Sequence, residues 1–385
     1  MIKKSKDVLK VEKNVNGLNN GLVNGLANGL TIADVAKEAG CSVATASRVL
    51  SGSKYPVSDK MRIRVLEAAD KLGYSDNLKK RMLMTDQNPF LGVIIPTFQN
   101  PRYLQFINGI EQVANREGHS TFIMNSHRNP TLERKLINSL IQKKIGSLFL
   151  LSVDDSSDTL RHYLDLGGFA CVFESNFLDL PNVLNAKENR FEAGRIATEY
   201  LLSQGHRSIA FLTTPLKHFQ SRRLTLDGCR FAIEKHALPF SFQNIFMADE
   251  ERESNDGMYE LEVGFAMAEK VLQHPNRYTG IVCQNDMLAY GMISGLRAAG
   301  AHVPNNISVV GIDNIHFNEI SYPQLTTVDT LASMLAQRAT QLVIRMDNHF
   351  NTNTPPLTMK PELIVRESVR TIEVVQRVAR KMAVI

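Results

Sequence analysis

Four polar clusters stand directly behind short apolar runs in this sequence of 385 residues. "FLGVIIP" is followed by Asn100, Arg102 and Tyr103, and "FACVF" by Glu174, Ser175 and Asn176. "GIVCQ" leads into Asn285 and Asp286, and "ISVVGI" into Asp313 and Asn314. Carboxylates and amides set side by side offer directional acceptors and donors, the chemistry that holds neighbouring hydroxyl groups of a small molecule. Each residue taken singly could equally cap a helix, Asp286 above all, because a helical segment begins right behind it. Converging on one cleft, the clusters would bind rather than catalyse. The motifs GxSxG, GxxxxGK[ST] and HExxH are absent, and the histidines are scattered. The acidic run at 154–158 lacks the glycine and terminal glutamate of a calcium loop. We therefore expect no catalytic residues, no metal and no cofactor.

A different chemistry is written into "TIADVAKEAGCSVATASRVL", residues 31–50. Ile32, Val35, Ala36 and Ala39 recur at helical spacing, with Thr31 placed to cap the helix they form. Gly40 can take the left-handed conformation that ends a helix, and Ser42 can cap the next. On that second helix Val43, Ala46, Val49 and Leu50 form the apolar side, leaving Ala44, Thr45, Ser47 and Arg48 nearer the outside. So short a helix is stable only when packed, so it must lie against the first. This is either a helix-turn-helix, whose second helix enters a DNA major groove, or an ordinary corner between two helices. Charge favours the first. Residues 1–84 carry fifteen Lys or Arg against eight Asp or Glu, whereas the remainder is slightly acidic.

The elements that must position these residues follow from periodicity. "SDKMRIRVLEAADKLGY" predicts a third helix, closing a small helical head over residues 31–74. Residues 75–88 form a basic segment able to make one short helix. From Phe90 onward, apolar runs suited to buried strands alternate with helical segments, the signature of parallel sheets built from βαβ units. Two such sets, near 90–188 and 189–325, predict two doubly wound subdomains with a ligand cleft at the carboxyl ends of their strands. Ahead of the head, residues 16–30 repeat Asn-Gly-Leu with period four, a low-complexity extension. The four cysteines are widely spaced, which fits a reducing compartment, and no apolar stretch is long enough to span a membrane.

These pieces in this order resemble the LacI/GalR family of bacterial transcription regulators. "TIADVAKEAGCSVATASRVLSG", "RVLEAADKLGY", "GRIATEYLLSQGHRSIAFL", "NDMLAYG", "VPNNISVVGIDN", "PQLTTV" and "LIVRES" carry the resemblance over residues 31–368. It implies a cytoplasmic, homodimeric repressor binding a near-palindromic DNA operator, controlled by a small effector such as a sugar or sugar phosphate. The implied fold is α/β: an all-α helix-turn-helix head, a hinge helix and a two-subdomain core like the periplasmic binding proteins. Its parts would be the extension 1–30, the head 31–74, the hinge 75–88, the core 89–370 and a tail 371–385. Within the core, 89–188 and 327–350 would form one subdomain, 189–326 and 351–370 the other. By resemblance Val43, Ala44 and Arg48 read base edges, while Thr31, Ser42, Thr45 and Ser47 complete the DNA contact. Asn77, Lys80 and Arg81 would serve the hinge, with Leu83 as a minor-groove wedge. Asp76 stands where the family carries proline, and Lys80 where it carries a small residue. The resemblance places the effector on Asn100, Arg102, Tyr103, Glu174, Arg223, Asn285, Asp286 and Asp313. Thr225 and Ser175 replace two frequent arginines, which favours a hydroxylated ligand.

Overall fold

A computed structural model describes residues 32–50, 56–72, 88–151, 158–173, 180–216, 220–249, 258–274, 276–345 and 355–373. The chain divides into two compact units, Met1–Met82 and Leu83–Ile385. The expectations for the extension, for Thr31, for the hinge residues Asn77, Lys80, Arg81 and Leu83, and for Glu174 lie outside the described residues.

The head holds three helices: α1 (Ile32–Glu38), α2 (Val43–Leu50) and α3 (Asp59–Lys71). The break between α1 and α2 is a closed hydrogen-bonded unit. Gly40, at φ +61°, donates to Lys37 O, and Cys41 N–H reaches back to Ala36 O at 2.9 Å. These paired bonds satisfy carbonyls that the helix end would otherwise orphan. Ser42 Oγ then accepts the Thr45 N–H at 3.1 Å and caps α2. Val35, Ala36, Ala39, Ala46, Val49, Val65, Ala68 and Ala69 form the head's core. Val43 departs from expectation. The buried stripe of α2 runs through Ala46 and Val49, and Val43, in the first turn at the edge of that stripe, stays 52% exposed.

The second unit contains two sheets of six strands each. The first orders as β2 (Ser120–Asn125), β1 (Phe90–Ile95), β3 (Ser147–Leu150), β4 (Phe169–Val172), β5 (Val183–Glu188) and β11 (Leu357–Met359). The second orders as β7 (Ile245–Met247), β6 (Ile209–Thr213), β8 (Gly280–Cys283), β9 (Ser308–Ile312), β10 (Thr326–Asp329) and β12 (Glu362–Ile364). All pairings are parallel except β10 with β12. Both faces of each sheet are covered, so the central strands β1, β3, β4, β6, β8 and β9 are buried and mostly apolar. In β1, Val93 and Ile95 join one core cluster and Ile94 the cluster on the opposite face.

The helices that bear on function are α4 (Pro101–Arg116), α5 (Pro130–Gln142), α6 (Asp158–Asp165), α7 (Arg190–Ser203), α8 (Gln220–Lys235), α9 (Tyr259–Gln273), α10 (Asp286–Ala298) and α11 (Ala332–Arg345). α7 and α8 pack almost backbone to backbone. A Cβ on Gly194 would lie 2.1 Å from Thr225 O, and one on Gly228 2.0 Å from Phe191 O. Only glycine permits that approach, and it fixes where the first turns of α8 point.

The subdomain boundaries need correction. The chain changes sheets between β5 and α7, between β10 and α11, and between β11 and β12. β10, assigned to the first subdomain, pairs with β9 and β12 of the second sheet. β11, assigned to the second, pairs with β5 of the first. Strands of three or four residues have too little pattern to reveal their sheet; only the pairing decides. The second subdomain also extends past 370, since Ile372 N–H donates to Gln204 O at 2.7 Å.

Candidate functional site

The head exposes one face of α2. Val43, Ala44 and Arg48 are exposed on α2, Ser47 is half-buried beside them, and Ala46 and Val49 hold the opposite side in the core. Ser42 is exposed, but its hydroxyl is engaged as the cap and hydrogen-bonds Thr45 Oγ1 at 2.8 Å. The cap therefore fixes both hydroxyls at the start of the helix, where a phosphate would meet the N-terminal N–H groups.

The second unit holds a cleft enclosing about 430 Å³, part of it open to solvent. Its walls are loops at the carboxyl ends of strands, as doubly wound sheets require. Asn100, Arg102 and Tyr103 arrive behind β1, Arg128 behind β2 and Arg190 behind β5. From the second sheet come Ser221, Arg222 and Thr225 on α8, Glu260 on α9, Gln284 and Asn285 behind β8, and Asp313 behind β9. Asn100 and Asn285 do two jobs. Each lines the cleft and each caps a helix, accepting from Arg102 N at 3.0 Å and Leu288 N at 2.9 Å. Capping a helix and facing the cleft are thus compatible at both positions.

At the base of the cleft four buried ionisable groups converge. Glu188 accepts from Arg102 Nη2, from Arg190 Nη2 at 2.8 Å and from the Thr330 hydroxyl. Asp313 Oδ1 lies 2.9 Å from Arg190 Nη2 and 3.4 Å from Arg102 Nε. Burial pushes the Glu188 carboxyl up, but the Arg102 and Arg190 guanidinium groups and the Thr330 hydroxyl outweigh it and hold the group at about 2. Asp313 goes the other way. Burial raises it to about 8 despite Arg190 and Arg102, and the Glu188 and Asp286 carboxylates add to the rise. Its loop is held in an unusual backbone, with φ +121° at Asp313 and +51° at Asn314. Non-glycine residues adopt such angles at a cost, and they concentrate at binding sites.

Three expectations change. Asp286 does not face the cleft. It is fully buried, accepting from Ile315 N at 3.0 Å, Asn318 Nδ2 at 2.8 Å and Thr327 Oγ1 at 2.7 Å, so it shapes the loop that carries Asp313. Arg223 points away, exposed, donating to Leu216 O; its neighbour Arg222 is the buried cleft residue, because the helical turn of α8 puts the two on different sides. Arg102, expected to meet the effector, lines the cleft but is already engaged by Glu188, and its guanidinium stacks 5.2 Å over Phe106. Arg128, Glu188, Arg190 and Glu260 went unanticipated. Arg128 and Arg190 sit behind strands and Glu188 ends one, where the same rule of polar residues after an apolar run finds them once "VLNAK" is taken as a strand. Glu260, on a helix, carried no such signal.

The comparisons agree with this geometry. Residues 31–77 match the family model "Bacterial regulatory proteins, lacI family", and 198–369 match "Periplasmic binding protein-like domain". The chain carries a lacI-family DNA-binding domain and a periplasmic-binding-protein-like domain. A LacI/GalR relative named HTH-type transcriptional repressor PurR, from Histophilus somni, is 29% identical over 353 residues, covering 89% of this chain and 99% of the relative. Its namesake from Pasteurella multocida is 27% identical over 341 residues, with the same coverage. Among solved structures, the transcriptional regulator CelR–cellobiose complex superposes with TM-score 0.61 at 22% identity, covering 88% of this chain and 99% of that one. A lac repressor dimer bound to operator gives the same TM-score and identity over 89% of this chain and all of its own. A family regulator from Enterococcus faecium with bound ribose gives 0.63 at 20% identity, covering 74% and 100%. At these identities the superpositions establish the LacI/GalR fold alone. Arg222, Glu260, Asn285 and Asp313 fall inside the matched domain; the first subdomain's cleft residues are placed by the structure.

Proposed function

We propose that this protein is a cytoplasmic, sequence-specific DNA-binding repressor that binds a near-palindromic operator as a homodimer and answers to a hydroxylated small effector in the cleft. One observation carries the reading: a single chain joins a capped helix-turn-helix, with its recognition face bare, to a polar cleft walled by two subdomains. A symmetric site follows from a symmetric dimer. Relatives named as repressors and structural neighbours holding cellobiose or ribose support the same assignment. Effector binding would shift the relative placement of the subdomains by favouring one arrangement over another. On α2, Val43 offers an apolar surface to a thymine methyl group and Arg48 a bidentate donor to guanine.

Selection from a random duplex library is expected to yield a two-fold symmetric consensus; enrichment of no sequence would defeat the proposal. On that consensus, Arg48→Ala should weaken binding by about 1–3 kcal/mol and relax preference at one base pair per half-site. Anisotropy titrations against consensus and scrambled duplexes measure it. An equal loss on both would reduce Arg48 to a phosphate contact.

A further inference from the structure

Two charged residues on opposite walls of the cleft meet without being near any chain crossing. Arg128 follows β2, the edge strand of the first sheet, and Glu260 opens α9, which follows β7, the edge strand of the second. The crossings at β5, β10, β11 and β12 all lie at the other edges of the two sheets. Glu188 and Arg190 stay together however the subdomains rotate, because they stand two positions apart in sequence. Arg128 and Glu260 lie beyond the opposite edge strands, far from those crossings, so their contact depends on closure. It is a close contact: Nη2 to Oε1 is 2.5 Å, with side chains 8% and 5% exposed.

The backbone is shaped to deliver Arg128. His127 and Arg128 are consecutive left-handed residues, at φ +50° and +54°. The turn is pinned by His127 N–H to Asn125 Oδ1, Arg128 N–H to Pro96 O and Asn129 N–H to Ser126 O. Strain of this kind persists where surrounding bonds enforce it, and it marks functional positions. Glu260 adds a second sign. Its Oε1 holds Arg128, while its Oε2 is buried with no hydrogen-bond partner among the described residues, and the side chain lines the cleft. Buried carboxylate oxygens are rarely left unmatched.

We propose that the Arg128–Glu260 pair is a latch that holds the cleft closed, and that Glu260 Oε2 is where an effector engages it, by donating a hydrogen bond from a hydroxyl or amine. A ligand that bonds Glu260 Oε2 while Oε1 holds Arg128 favours the closed arrangement, and this couples binding to subdomain placement. The effector half rests on the function proposed above; the latch does not.

Spin labels at Lys135→Cys and Glu262→Cys, both exposed positions, report the separation of the two lips in the full-length protein carrying Cys41→Ser. The unliganded protein should give one short, narrow distance distribution. Glu260→Gln and Arg128→Gln should each lengthen and broaden it, and the exchanged pair Arg128→Glu with Glu260→Arg should restore it. Circular dichroism melting of each variant establishes that it is folded. Unaltered distances in folded Glu260→Gln would overturn the latch. If D-ribose or cellobiose raises the melting temperature of the wild type, Glu260→Gln should weaken that ligand at least tenfold, and equal affinity would overturn the role of Oε2. If neither sugar acts on the wild type, the reading of a sugar-type effector falls, while the distances still decide the latch.

Discussion

Glu188→Ala is expected to lower the stability of the second unit by about 3–5 kcal/mol, the usual cost of removing one member from a buried ion network. Glu188 is fully enclosed and serves three donors, the Arg102 and Arg190 guanidinium groups and the Thr330 hydroxyl. Without it Arg102 and Arg190 keep Asp313 as their neighbouring carboxyl, and burial disfavours the ionised form of that group. The loss has a predictable pH course. The folded-state value for Glu188, about 2, lies below its ordinary 4.5, so its contribution is complete above pH 4.5 and is lost as pH falls toward 2. Asp313 has the opposite sense: its folded value is raised from 3.8 to about 8, so stability tied to its protonated form declines as pH rises through that interval. The informative quantity is therefore the difference between wild type and Glu188→Ala. Urea unfolding should show a full gap at pH 5 that narrows toward pH 2. A gap below 1 kcal/mol at pH 5 would mean that the network is relaxed by water and is not a structural element of the cleft.

Asp286→Ala should cost on the order of 3 kcal/mol, because it strands three buried donors, each worth about 1–3 kcal/mol when left unpaired. Those donors are Ile315 N–H, Asn318 Nδ2 and Thr327 Oγ1, and the first two belong to the loop behind Asp313. Burial raises the Asp286 carboxyl, while Thr327, Asn318 and Ile315 pull it back, so the site balances desolvation against three hydrogen bonds. Asp286→Asn should recover less than half of the loss, since its amide adds a donor where donors already converge. Chemical denaturation of the three proteins checks this. Unchanged stability in Asp286→Ala would return Asp286 to the ligand-reading role its position behind a strand suggests. The two substitutions bear on different parts of the cleft. Glu188 holds its base at the crossing between subdomains, and Asp286 holds one wall from behind.

The head was legible because its signals are local. Gly40, Ser42 and the spacing of Val35, Ala36, Ala46 and Val49 dictate the turn, the cap and the core within nineteen described residues. The alternation of strands and helices was legible for the same reason, as were Asn100, Asn285 and Asp313 at strand ends, where parallel topology leaves only the carboxyl edge for a ligand. Short strands escaped: the three or four residues of β10 and β11 acquire a sheet only through hydrogen bonds to β9 and β5. Side-chain direction escaped too. Asn285 and Asp286 are neighbours behind one strand, yet one lines the cleft and the other turns into the protein to hold Ile315 and Thr327. The pairing of Arg128 with Glu260, 132 positions apart, is set by how two subdomains close on each other. Residue type and local period follow from neighbours in sequence, and so the sequence determined the elements and the ends at which chemistry gathers. Which charges meet in a buried cleft depends on desolvation and on partners brought from distant strands, and only the tertiary structure decides that.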